Sequence, residues 1–111
     1  MDPLQFEVLA ERRFKLCRET LLEEKRLEYC RDNDRQHNFK AAAILQDIPV
    51  EYAWRGMFAK HLVSLFDMIN DLGDDIIPSQ DLIDAKIGDL INYLILFEGI
   101  VDDKRQEEEC A

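Results

Sequence analysis

Residues 80–101, QDLIDAKIGDLINYLILFEGIV, constrain this chain more than any other stretch. Leu82, Ile83, Ile87, Leu90, Ile91, Leu94, Phe97 and Val101 recur at steps of three and four, the period of a helix with one broad apolar face. That face needs partners. Lys86, Asp89 and Tyr93 fall at i, i+3 and i+7 on the same helix, so an ionisable stripe runs beside its most apolar part.

The rest of the chain offers helical partners and little else. Asp2 before Pro3 is a helix start, and from there to about Tyr29 no Gly or Pro intervenes, which predicts one long N-terminal helix. Phe6, Leu9, Leu16, Thr20 and Leu27 lie on one side of it, with Leu4, Val8, Leu22 and Tyr29 toward another; two apolar strips on one helix point to self-association or to a second strip covered by charged side chains. Asp32, Asn33 and Asp34 read as a helix end and a new cap, followed by a short helix over about 35–46 that carries Phe39, Ala42, Ala43 and Leu45. Ile48-Pro49 restarts the chain. A third helix from Pro49 to about Leu72 turns Tyr52, Met57, His61, Leu62, Leu65, Met68, Ile69 and Leu72 inward. Gly56 inside it suggests a close backbone approach, and Gly73 a left-handed cap. Ser79 caps the last helix, and the charged run after Val101 has no periodicity. The expectation is an all-α bundle of about four helices over 1–103, with a disordered tail at 104–111.

Charge narrows the function. The net charge is −10; residues 1–40 balance nine acidic against nine basic side chains, so the whole deficit lies in residues 41–111. Direct nucleic-acid binding is disfavoured, despite a local basic strip at Arg12, Arg13, Lys15 and Arg18, and a basic protein surface or metal ions suit the acidic part. Cys17, Cys30 and Cys110 have no CxxC spacing and are odd in number, which fits a reducing compartment. No signal peptide or membrane-length apolar run is present, so the expected location is the cytoplasm.

Candidate chemistry sits on two stripes. Lys60, Ser64, Asp67 and Asp71 recur at i, i+4, i+7 and i+11 on the third helix; packed antiparallel to the last helix, they would face Lys86, Asp89 and Tyr93 across a cavity with both signs of charge. Lysines suit phosphate oxygens, and Asp pairs suit Mg²⁺. Solvated stripes with internal ion pairs would look the same in sequence. His37 and Asn38, at the start of the short helix, form a place for an anion. His61 reads as an interface histidine, and Glu24, Glu28 and Asp32 as an acidic row that would bind metal only if Asp81 or Asp84 faced it. There is no zinc, nucleophile or phosphate-loop motif.

Three ordered segments, YCRDNDRQHNFKAAA, GMFAKHLVSLFDMI and AKIGDLINYLILFEGI, resemble a group of small bacteriophage and prophage proteins. Their helical plan is distantly similar to nucleotide-modification-associated proteins and MazG-like nucleotide pyrophosphohydrolases. The resemblance implies a nucleotide-related role in a host cell, and Asn38, Lys60, Asp67, Lys86, Asp89 and Tyr93 are the matching positions. The Glu-x-x-Glu metal pair of those enzymes has no match, and the later Glu-x-x-Asp pair appears only as Lys86-x-x-Asp89, which implies binding without turnover. The expectation is a phage accessory protein, a homo-oligomer, holding a nucleotide or other phosphate-bearing ligand between its third and fourth helices, with Mg²⁺ as the candidate cofactor. The alternatives are an acidic interaction protein that blocks a host defence or nucleic-acid enzyme, and a divergent Mg²⁺-dependent pyrophosphohydrolase.

Overall fold

A computed structural model describes residues 1–24 and 34–110. Among these the chain is all-α and bundle-like, in four α-helices: α1 (Pro3–Arg18), α2 (His37–Gln46), α3 (Val50–Gly73) and α4 (Gln80–Cys110). A π-helical turn, Glu19–Glu24, extends α1. Leu27, Glu28, Tyr29, Cys30, Asp32 and Asn33 lie outside the described residues.

Local chemistry sets the boundaries. Asp2 and Gln5 form a reciprocal capping box: the Gln5 N–H donates to Asp2 Oδ1 at 2.8 Å and the Asp2 N–H to Gln5 Oε1 at 2.9 Å. Ser79 Oγ accepts from the Leu82 N–H at 3.1 Å and starts α4. The end of α3 differs from the glycine cap expected. Gly73 is the last helical residue, and the left-handed residue is Asp75, φ 62°. The Ile76 N–H reaches the Asp71 carbonyl and the Asp75 N–H that of Leu72, a Schellman closure built on Asp, whose short polar side chain tolerates this region better than most. Asp47, φ 54°, closes α2 in the same way.

The charged run after Val101 is helical to Cys110, contrary to the expected tail. Its Glu, Lys, Arg and Gln are strong helix formers, Gln106 Nε2 donates to Asp102 Oδ2 at 3.0 Å, and Lys104 pairs with Glu51 of α3 at 3.1 Å. Periodicity was the wrong criterion there, because a polar helix can be held by propensity and ion pairs.

Helices α3 and α4 run antiparallel, as Ser64 opposite Lys86, His61 opposite Asp89 and Glu51 opposite Lys104 fix the register. The core lies at one end of this hairpin, where Phe39 of α2, Trp54 of α3, Leu21, and Tyr93, Leu96 and Ile100 of α4 meet. The buried face of α4 is rotated from the expected one: Asn92, Tyr93, Leu96 and Ile100 are inside, while Leu94 is 52% exposed. From Leu90 to Val101 the helix is apolar nearly all round, so period alone cannot choose its inner side. On α3, Trp54 is buried and Tyr52 points outward beneath the Arg55 guanidinium, 4.4 Å from its ring.

Close backbone approach occurs at Gly99 rather than Gly56. A Cβ on Gly56 would meet nothing within 4 Å, whereas one on Gly99 would stand 2.6 Å from Gln36 Nε2. Gln36 is buried there and donates to the Leu96 carbonyl at 3.1 Å, tying the entry to α2 onto α4.

At about 1.5 Å per residue, the ten residues of α2 span about 15 Å and the twenty-four of α3 about 36 Å. Helix α2 therefore covers only one half of the hairpin. The overall dimensions, 51 × 28 × 24 Å with a radius of gyration of 16.6 Å, follow from that; a spherical domain of this length has a radius of gyration of about 13 Å.

Candidate functional site

The two predicted stripes converge only in part. Lys86 Nζ lies 3.5 Å from Ser64 Oγ, and Asp89 Oδ2 3.8 Å from His61 Nδ1, so α3 and α4 share a short polar seam. Lys60 and Asp67 are exposed and do not join it. With His61 at the seam as zero and 100° per residue, Lys60, Asp67 and Asp71 point roughly 240–280° around α3, off the face toward α4. Tyr93 belongs to the core: its ring meets Phe39 edge-on at 5.8 Å and His61 at 4.5 Å.

At the start of α2 the expected anion position is already filled. The Asp34 side chain accepts from the Gln36 N–H at 2.8 Å, its carbonyl accepts from the His37 N–H at 3.2 Å, and Lys40 pairs with its carboxylate at 2.6 Å. Burial pushes the Asp34 carboxyl up, but Lys40 and the Gln36 N–H outweigh it and hold it low. Asn38 is exposed, beside a shallow apolar groove with Ala42, Leu45 and Met57.

Among the described residues no three metal-ligating side chains cluster. Asp84, the carboxylate considered for a metal, is instead held by α1. Arg12 binds it through two nitrogens, at 3.0 and 2.9 Å, and Arg13 Nη2 at 2.8 Å. Two of the four residues of the basic strip, Arg12 and Arg13, are thus spent on docking α1. Hydrogen bonds from Arg12 first, then Gln80 and Arg13, hold the Asp84 carboxyl far below the usual carboxylate range. The sign follows: a depressed folded value contributes stability fully above the unfolded pKa of about 4, and loses it as pH falls through the folded value. Amide exchange in α1 is therefore expected to stay slow at pH 4 and to accelerate only in stronger acid, while Asp84→Asn makes it fast already at pH 7. Equal protection of α1 in the variant and the parent at pH 7 would show the pin to be idle.

Cys17 is buried and its thiol is pushed up, by desolvation chiefly, against a weaker pull from Arg13. A thiol so held is a poor nucleophile.

The hairpin half that α2 does not reach is apolar and open. Val63, Phe66, Ile69 and Leu72 of α3, with Ile76 and Ile77 of the turn, are each more than half exposed. Arg12 and Arg13 bring the start of α1 to this same end, where Leu4, Phe6, Val8 and Leu9 are also at least half exposed. Around the α3–α4 turn stand the exposed carboxylates Asp67, Asp71, Asp74, Asp75 and Asp81. Sequence reasoning placed Ile69 and Leu72 inside; both are more than half exposed, on turns of α3 beyond the reach of the ten-residue α2.

The molecule is, by its geometry, an all-α half-covered hairpin with a packed end and an open, acid-rimmed apolar end. No protein-family model, curated protein or solved structure matches the chain. No helix among the described residues is long and apolar enough to cross a membrane.

Proposed function

We propose that this chain is an acidic interaction protein whose open apolar end docks on a basic protein surface. One observation carries the reading: large apolar side chains of α1, α3 and the α3–α4 turn are left without a covering helix and ringed by aspartates. The chain exposes 8387 Å² at 13.1 kDa, whereas a monomeric globular protein of that mass exposes about 6,400 Å². The excess, about 2,000 Å², belongs to the whole elongated molecule and includes the open apolar end. Exposed apolar patches of this kind mark interaction sites.

The rim chooses between occupants. A second copy would bring Asp against Asp at a net charge of −10 per chain, whereas a basic partner meets the rim with opposite charge. The resemblance to phage proteins supports a host enzyme of defence or nucleic-acid metabolism as that partner. A phosphate-bearing ligand between α3 and α4, with or without Mg²⁺, has less support, because Lys60 and Asp67 stand away from the seam and Tyr93 is in the core.

Salt separates the occupants by sign. Capture from a bacterial lysate at low ionic strength is expected to hold a basic protein that elutes as NaCl rises toward ~0.5 M, since screening weakens opposite charges. Self-association of the acidic chain would instead strengthen with salt, as read by sedimentation velocity. A chain that sediments as a salt-strengthened dimer and retains no salt-sensitive protein overturns the proposal.

A further inference from the structure

The bare apolar surface is not confined to the open end. On α3, Leu62, Phe66 and Ile69 recur at i, i+4 and i+7, and on α4 Leu90, Leu94 and Phe97 do the same. Phe66, Ile69 and Leu94 are more than half exposed, and Phe97 is 37% exposed. Both ridges lie on the side of the hairpin opposite α2. With Met57, which faces α2, as zero and 100° per residue, the α3 ridge points roughly 120–180° around its helix; with Gly99, which meets Gln36 at the entry to α2, as zero, the α4 ridge points roughly 160–220° around its own. Phe97 meets the Trp54 ring at 4.8 Å, so the groove between the ridges runs from the level of Trp54 to Ile69, about fifteen helical steps or about 22 Å.

A groove between two antiparallel helices fits a third helix, whose own side-chain ridge seats between theirs. An extended segment fits it badly. The backbone N–H and C=O groups of α3 and α4 are spent within those helices, so a strand laid there would bury its own without partners, at about 1–3 kcal/mol per group. Charge gives the occupant's sign and direction. Arg55, Glu98 and Arg105 flank the packed end of the groove with both signs, whereas the exposed side chains Asp74 and Asp75 at the α3–α4 turn are both acidic.

We infer that one helix of the basic partner, amphipathic and about fifteen residues long, lies in this groove with its cationic side chains toward the α3–α4 turn. The inference rests on the docking proposed above. It adds the conformation of the occupant and its path, which continues past the open end onto Leu94 and Phe97.

Two synthetic peptides of about fifteen residues and equal Leu and Lys content test it, one patterned at helical spacing and one strictly alternating. Fluorescence anisotropy against the full chain at low salt is expected to show the helical pattern binding at least tenfold tighter than the alternating one. Circular dichroism should show that peptide gaining helicity, and ¹⁵N-resolved NMR should show the amides of Phe66, Ile69, Leu90 and Leu94 shifting together. Leu94→Asp lies in the groove but outside the open end; it is expected to weaken the helical peptide at least tenfold, although the new charge attracts lysine. Equal affinity of the two peptides, no binding of either at about 1 mM, unchanged affinity in Leu94→Asp, or shifts that leave out Leu90 and Leu94 overturn the helix in the groove. A partner captured from lysate separates this from the docking itself. Loss with Phe66→Asp and retention with Leu94→Asp keeps the docking and removes the groove path, whereas retention by both variants removes the docking as well.

Discussion

Trp54→Ala is expected to lower the free energy of unfolding by about 3–5 kcal/mol, the range for truncating a large buried aromatic. Trp54 is 8% exposed, its ring stacks on Phe58 at 4.7 Å and meets Phe97 at a 43° tilt at 4.8 Å, and Nε1 donates to the Tyr93 carbonyl at 2.9 Å. It joins α3 to α4 by both packing and a buried hydrogen bond. Domains have about 5–15 kcal/mol in total, so the variant should sit near its unfolding midpoint in mild denaturant. Trp54→Phe keeps most of the ring contact and is expected to cost about 1–2 kcal/mol, the part that belongs to the hydrogen bond and lost area. Urea titration followed by circular dichroism measures both, since the only tryptophan is the residue removed. A cost below about 1 kcal/mol for the alanine variant would mean that Trp54 does not anchor the core.

That the sequence pointed away from Trp54 has a physical reason. Trp54, Met57, His61, Leu65, Met68 and Leu72 fall on one stripe of α3, but Tyr52, Phe58, Leu62, Val63, Phe66 and Ile69 extend it halfway round the helix. Where the apolar arc is that wide, periodicity identifies a helix and leaves its inner side open. The same holds for α4, whose buried line runs through Asn92 and Tyr93 and not through Leu94. Caps were more legible: Asp2 and Ser79 act through bonds to backbone within three residues, which sequence spacing specifies directly. The antiparallel α3–α4 pairing also followed from the short connection between them.

The candidate site was less legible because it depends on what α2 fails to reach. A ten-residue helix beside a twenty-four-residue one leaves a bare half, yet nothing in the sequence of α3 distinguishes its covered from its uncovered turns. Arg13 and Asn92 were hidden for a different cause: each looks like a surface residue of an amphipathic helix until α1 is laid on α4 by the Asp84 pin. The charge imbalance of residues 41–111, by contrast, was visible at once, and five of the ten aspartates in that stretch stand at the rim.

Phe66→Asp is expected to weaken capture of a basic protein partner at least about 30-fold, because it removes an aromatic anchor and places a charge in the docked surface, a loss of 2 kcal/mol or more. Phe66 is 59% exposed in the free chain, so folding stability should change by less than about 0.5 kcal/mol. Ile69→Asp, one helical turn on and 53% exposed, should behave alike. Leu45→Asp is the control: Leu45 is 87% exposed, but on α2 at the packed end, and its substitution adds the same charge away from the rim. If the interaction were a general effect of acidity, all three variants would bind a basic partner at least as well as the parent. If the apolar end is the docking surface, the two α3 variants lose the partner at low salt while Leu45→Asp retains it, and hydrogen exchange on the complex slows in the first turns of α1 and in the second half of α3. Retention by Phe66→Asp and Ile69→Asp together would place the partner elsewhere and remove the reason for assigning function to the uncovered half of the hairpin.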